Sequence, residues 1–298
     1  MTIAQHLNIA LPSPVQRFKP DWPGAEKVNI YIKRDDLIHP VVSGNKWRKL
    51  SGLFANADTL PREIISFGGG FSNHLHALGY CCAQLNIPFT AMVRGDYSLH
   101  PTPMLQDLAS WGVTIRYITK LEYHRRHDPA YLTSLQNLYP LATIVPEGGT
   151  QQLALAGVQQ TLLESQQTFD VVMSPVASGA TLAGLITALT PKQHALGIAV
   201  LKGVGYLESL VEQFLPEGCC SNWQIEHAFH HGGYAKSGSE LTAFINTAWE
   251  RYQLPLEPVY SGKVFFALKV LLAQNKFAEG TNLLIVHTGG LQGARKDA

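Results

Sequence analysis

The sequence predicts an α/β protein of parallel sheets flanked by helices, and three observations predict it. Short β-branched runs alternate with longer stretches of helical period along the chain. Glycine-bearing clusters fall where those short runs end, at 68–70, 147–149, 178–181, 202–205 and 287–290. With 298 residues, of which 46% are hydrophobic, the chain can bury one large or two medium cores.

The elements follow in order. Val28, Ile30 and Ile32 alternate with Asn29, Tyr31 and Lys33, as one face of a half-buried strand does. A Ser-Gly-Asn turn then opens a helix near Asn45. A strand over 64–67 precedes a helix over 73–85, one over 89–93 precedes a helix over 103–111, and one over 113–118 precedes a helix over 121–138. Further strands are expected over 142–145, 169–173, 196–201 and 283–286, with a late helix starting near Gly262. Residues 171–190 carry no charge over about the length of a bilayer span. Pro175, Ser178, Gly179 and Thr181 divide them into strand, turn and helix instead. No internal repeat or low-complexity linker interrupts the alternation.

Composition narrows the function. The balance of 23 basic against 22 acidic residues gives a net charge of +1, so neither nucleic acid nor an anionic membrane is attracted in bulk. The N-terminus lacks a basic leader and its apolar stretch is broken by Asn8 and Pro12, which does not fit a signal peptide. The cysteines form two adjacent pairs, Cys81-Cys82 and Cys219-Cys220, a spacing that suits neither zinc nor a CxxC redox motif. Buried, reduced thiols in a cytoplasmic protein are expected.

Four segments carry candidate chemistry. In SGNKWRKL (43–50), Lys46 and Lys49 lie three positions apart on one helix face. On residue type alone such a pair faces solvent. In VASGATLAGL, Ser178, Gly179, Ala180 and Thr181 join a strand exit to a helix start, where backbone N–H groups and two hydroxyls would cup a phosphate. The Walker ending and GxGxxG are missing, which argues against ATP and NAD. GGGFSNH (68–74) begins like a nucleophile elbow, but His74 stands where glycine is needed. His74 and His76, two apart on a helix, point to different sides and read as surface or supporting histidines rather than metal ligands. In LEPVYSGK (256–263), Ser261 reads as an N-cap and Tyr260 as a core aromatic with a satisfied hydroxyl.

In chain order, KRDDL with SGNKWRKL, then GGGFSNH, SGATLAGL, LEPVYSGK and HTGG, the sequence resembles a family of pyridoxal-phosphate enzymes. The family includes D-cysteine desulfhydrase and 1-aminocyclopropane-1-carboxylate deaminase, and the resemblance runs from about Pro12 to Gly293. It implies a two-domain tryptophan-synthase-β-like fold, fold type II of the pyridoxal-phosphate enzymes. Residues 1–46 and 160–298 would form a large cofactor-binding domain and 47–159 a small one, with pyridoxal 5'-phosphate between them.

Position by position, Lys46 matches the family's Schiff-base lysine and Lys49 a lysine that approaches the cofactor phosphate. Ser178, Gly179, Ala180 and Thr181 match the phosphate cup. Asn73 matches the residue bonding the phenolic oxygen, Ser72 one near the substrate carboxylate, and Tyr260 an active-site tyrosine. Thr288 matches the hydroxyl facing the pyridine nitrogen, with Ser261 the other neutral residue for that place. The cyclopropane deaminases carry glutamate at the position of Ser261 and usually lack the threonine, so the resemblance leans toward the desulfhydrase. Phe71 and Ala180 depart from both branches, at positions commonly glutamine and glycine or serine. The resemblance implies a cytoplasmic homodimeric lyase acting on a small amino acid, without metal, nucleic acid or membrane. Its rivals are the deaminase and a cofactor- or amino-acid-binding protein without turnover.

Overall fold

The computed structural model describes residues 1–219 and 222–295; Cys220 lies outside them. In chain order the strands are β1 (Val15–Phe18), β2 (Asn29–Lys33), β3 (Glu63–Gly69), β4 (Phe89–Arg94), β5 (Thr114–Ile118), β6 (Ala142–Val145), β7 (Val171–Val176), β8 (His194–Ala199), β9 (Asn222–Glu226) and β10 (Asn282–Val286). The helices are α1 (Ile3–His6), α2 (Asn45–Leu50), α3 (Asn73–Gln84), α4 (Pro103–Ser110), α5 (Lys120–His124) and α6 (Pro129–Leu138), followed by α7 (Ala154–Leu163), α8 (Ala180–Ile186), α9 (Tyr206–Glu212), α10 (Ser239–Tyr252) and α11 (Ser261–Ala273).

The strands form two sheets, a six-stranded one ordered β1-β2-β10-β7-β8-β9 and a four-stranded one ordered β5-β4-β3-β6. All pairings are parallel except β1 with β2. Each central strand buries both faces. Leu283 and Ile285 of β10 enter one core and Leu284 and Val286 another, while Ile64 and Ile65 of β3 likewise part to opposite cores. Helices on both faces are the consequence. The core on one face of the small sheet also takes in Leu7, Ile9, Ile38 and Val42.

In each sheet the strand order reverses once. β7, β8 and β9 run one way with β10 on the other side of β7; β3, β4 and β5 run one way with β6 on the other side of β3. Such reversals open a crevice beyond the carboxyl ends of the strands. Pro175 is compatible with β7 because the ladder to β10 ends at Met173, beyond which the missing N–H is not required on that side.

The structure differs from or sharpens the expectations at three points. The helix expected over 121–138 is two, α5 and α6, because Pro129 cannot continue the first and Asp128 instead caps the second at the Ala130 N–H. β1 and β9 went unforeseen, being edge strands whose largely polar runs carry little hydrophobic alternation. Of the two readings for the α3 histidines, surface or supporting, the first is excluded: His74 is 2% and His76 3% exposed, bonded to Ser66 and Asp107. Residues 171–190 do divide into β7, a turn and α8, and among the described residues no helix is long and apolar enough to cross a membrane. Cys81 and Cys82 are buried free thiols, with the first pushed well above its ordinary pKa by burial.

Candidate active site

The exits of β2, β10 and β7, neighbours in the large sheet, lead to Lys46, Thr288 and Ser178. The exits of β3 and β6 lead to Ser72-Asn73 and to the turn at Gly148–Thr150. Both crevices contribute to one site. A cavity of about 150 Å³ is lined by Asn45, Lys46, Asn73, Tyr260, Thr288 and Gln292 among others.

The turn before α2 is tightly packed. Gly44 adopts φ +65°, and a Cβ there would come 1.8 Å from the main-chain oxygen of Thr288. That oxygen accepts the Asn45 N–H at 3.3 Å, which ties α2 to the β10 exit. Lys46 is half-buried; its Nζ donates to Asn45 Oδ1 at 2.8 Å and stands 6.0 Å from the centre of the Tyr260 ring. Burial pulls its pKa down to about 8, with the charge of Glu257 opposing. The Asn45 amide donates in turn to Thr181 Oγ1 at 3.0 Å.

Lys49 does not face solvent: it is 3% exposed. Its Nζ donates to Gly148 O at 3.2 Å, Thr150 Oγ1 at 3.3 Å and Ser178 Oγ at 3.2 Å, and those two hydroxyls bond each other at 2.7 Å. Burial and then the neighbouring Lys46 hold its pKa well below the ordinary value. Among the described residues no carboxylate pairs with it. A buried lysine without a counter-ion, beside two hydroxyls and the start of α8, suits an anion, whose charge would favour the ammonium form that burial disfavours. Gly179, at φ +83°, turns β7 into α8; a Cβ there would stand 2.1 Å from Leu210 O. Ala180 and Thr181 follow, both buried, in the first turn of that helix.

Asn73 opens α3, and Ser72 Oγ caps it by accepting the Leu75 N–H at 3.2 Å. Tyr260 meets Tyr234 hydroxyl to hydroxyl at 2.9 Å. Ser261 is not the cap it was expected to be. The Glu257 carboxylate accepts the N–H groups of Val259, Tyr260 and Ser261, and the Ser261 hydroxyl turns onto that carboxylate at 3.1 Å instead of lining the cavity. Thr288 does line it. Phe71 is 52% exposed and is not among the lining residues.

Sequence reasoning missed Asn45, Thr150, Tyr234, Glu257 and Gln292. Thr150 follows the glycine cluster at 147–149, and Asn45 sits inside the lysine motif; the other three act through contacts that sequence spacing does not reveal. Among the described residues no group of His, Cys, Asp or Glu is placed to hold a metal ion. The residues present do fit pyridoxal phosphate: an amine that is partly neutral near pH 7 on the wall of a small cavity, and three positions along the same helix a second buried lysine beside two hydroxyls.

The family model of the pyridoxal-phosphate dependent enzymes matches residues 12–289. The mitochondrial bifunctional D-cysteine desulfhydrase/1-aminocyclopropane-1-carboxylate deaminase of Arabidopsis thaliana is 29% identical, over 95% of this chain and 77% of its own length. The D-cysteine desulfhydrase of Serratia proteamaculans is 28% identical, over 91% of this chain and 88% of its own. The crystal structure of an ACC deaminase homologue superposes with a TM-score of 0.79 at 24% identity, covering 98% of this chain and 96% of the other, a likeness of fold.

Proposed function

The chain belongs to the family of pyridoxal-phosphate dependent enzymes, and from that premise we propose that it is a lyase removing sulfide from a small D-amino acid, D-cysteine above all. The products are pyruvate, ammonia and hydrogen sulfide. The observation that carries this reading is the pair of lysines at the meeting of the two crevices: Lys46 with a pKa of about 8 at the cavity, and Lys49 buried beside Ser178 and Thr150.

Each residue has a task that its surroundings support. Lys49, with the Ser178, Thr150 and Thr181 hydroxyls and the N–H groups of Gly179 and Ala180, would hold the phosphate. Lys46 would anchor the cofactor and carry a proton to and from the substrate's α-carbon, with Asn45 Oδ1 orienting its Nζ. When bound, pyridoxal phosphate supplies an aldehyde carbon for an amine and an electron sink for the bond broken at the α-carbon. Asn73 and Thr288 line the same cavity and would meet the ring, Ser72 the substrate carboxylate, and Tyr260 the substrate side chain. Ser261, tied to Glu257, would act by fixing the start of α11.

A small cavity favours a small amino acid. The serine at 261 and its turn away from the cavity favour sulfide elimination over ring opening. Opening the cyclopropane amino acid to 2-oxobutanoate is the second reading, favoured by the double name of the Arabidopsis relative. The exposed position of Phe71 gives no support to a binding protein without turnover. A homodimer in the cytoplasm completes the proposal, in keeping with the buried free thiols Cys81 and Cys82. The test is 2-oxo-acid formation from D-cysteine, L-cysteine, D-serine and the cyclopropane amino acid. Turnover greatest with D-cysteine supports the proposal, greatest with the cyclopropane amino acid transfers it to the deaminase, and none with any of them rejects it.

A further inference from the structure

We propose that Gln292 is a positioning residue that fixes which end of the Asn73 amide faces the Lys46 cavity; this rests on the reading that the cavity holds the cofactor ring. Gln292 sits in a 3-10 turn, Leu291–Ala294, beyond β10, whereas Asn73 starts α3 beside the small sheet. The two ends of an amide are told apart by their partners. Gln292 has two that leave no choice. The main-chain oxygen of Phe71, which can only accept, lies 3.3 Å from Nε2, and the Arg295 guanidinium, which can only donate, reaches Oε1 at 3.4 Å.

With the nitrogen of Gln292 so placed, its 2.5 Å bond to Asn73 ends on Asn73 Oδ1. The Asn73 nitrogen is the end left for the cavity, and among the described residues no hydrogen bond uses it. The backbone closes around the amide: a Cβ on Gly290 would stand 3.0 Å from Asn73 Nδ2, and one on Gly293 3.4 Å from Oδ1. Arg295 is itself held by Asp107 at 2.6 Å, a carboxylate that His76 also meets at 2.8 Å. This relay from α4 presents a donor, not a carbonyl, to a ring oxygen. The phenolic oxygen of pyridoxal phosphate is such an acceptor when ionised.

The test loads the full-length protein with pyridoxal phosphate and follows its dissociation constant and absorption band in the parent, Gln292→Glu and Gln292→Lys. An ionised glutamate cannot donate to Phe71 O or Asn73 Oδ1, so the Asn73 amide turns its carbonyl toward the ring. Gln292→Glu is expected to weaken cofactor binding by roughly ten-fold or more and to shift the band toward that of the protonated ring oxygen. Gln292→Lys keeps a donor toward Asn73 Oδ1 but loses the acceptor for Arg295, so it is expected to keep the parent's absorption band and to lose less affinity than Gln292→Glu. An unchanged constant and band in Gln292→Glu overturns the proposal, as does an equal loss in both variants, which would mean packing alone. A parent that binds no pyridoxal phosphate overturns the functional reading and this inference with it.

Discussion

Burial turns Lys46 from a permanent cation into a group that titrates near neutrality. A pKa of about 8 in place of 10.5 leaves it mostly protonated at pH 7, and the neutral amine grows as pH rises through 8. Capture of pyridoxal phosphate by the cofactor-free protein is therefore expected to quicken by about ten-fold from pH 7 to 9 and then level off. Stopped-flow absorbance follows it, and a rate still climbing steeply at pH 10 would show an ordinary lysine. That Lys49 is buried and Lys46 half-buried was not legible from residue type, which favours solvent for both. α2 packs against α3 and α7, and the turn at Gly148–Thr150 closes over Lys49, so the face carrying the lysines meets protein instead of water. The motif marked the two amines in the chain; long-range packing sets their surroundings.

At the scale of elements, the site is made from strand exits. Thr181 Oγ1 accepts from Asn45, whose other end holds Lys46. Thr181→Val removes that acceptor and a hydroxyl from the proposed phosphate cup together, and is expected to raise the cofactor dissociation constant roughly ten-fold, measured by titration. Gly179→Ala forces a side chain into φ +83° against Leu210 O at 2.1 Å. It is expected to lower stability by more than about 1 kcal/mol in urea unfolding as well as to weaken cofactor binding. The glycine clusters at the exits of β3, β6, β7 and β10 were readable because backbone that must turn sharply or approach a ligand excludes side chains. Their partners were not: Thr150 reaches Ser178, 28 residues away, and Tyr234 reaches Tyr260 across 26. Glu257 escaped notice because serine is the commoner N-cap, whereas here the carboxylate takes three N–H groups.

Across the whole molecule, a buried ionic cluster joins the N-terminal segment, α2 and α7. Glu164 pairs with Arg48 at 2.5 Å and Lys33 at 2.7 Å, Asp35 also holds Arg48 at 2.9 Å, and Ser13 completes the group. Burial raises the Glu164 pKa, but hydrogen bonds from Arg48 and Lys33 outweigh it and bring the pKa down to about 2. A carboxylate with a lowered folded pKa stabilises the fold above its unfolded value of 4.5, and this contribution is lost as pH falls from there through about 2. Glu164→Gln leaves Lys33 and part of Arg48 uncompensated and is expected to cost about 3 kcal/mol at pH 7. It should also flatten the loss of stability between pH 4.5 and 2. Equal acid sensitivity in parent and variant, by urea midpoint against pH, would assign that loss to other carboxylates. The cluster keeps α2 fixed to the large sheet while Lys49 reaches the turn after β6, so the two crevices share one anchored helix.

Borohydride reduction of the pyridoxal-phosphate-loaded protein, followed by peptide mapping, shows which lysine carries the cofactor. The reduced cofactor is expected on the peptide containing Lys46, at that residue, with Lys46→Ala unlabelled and inactive toward D-cysteine. Label on Lys49 or on any other lysine in the parent, or a Lys46→Ala protein that still releases sulfide at the parent's rate, would remove Lys46 from that role.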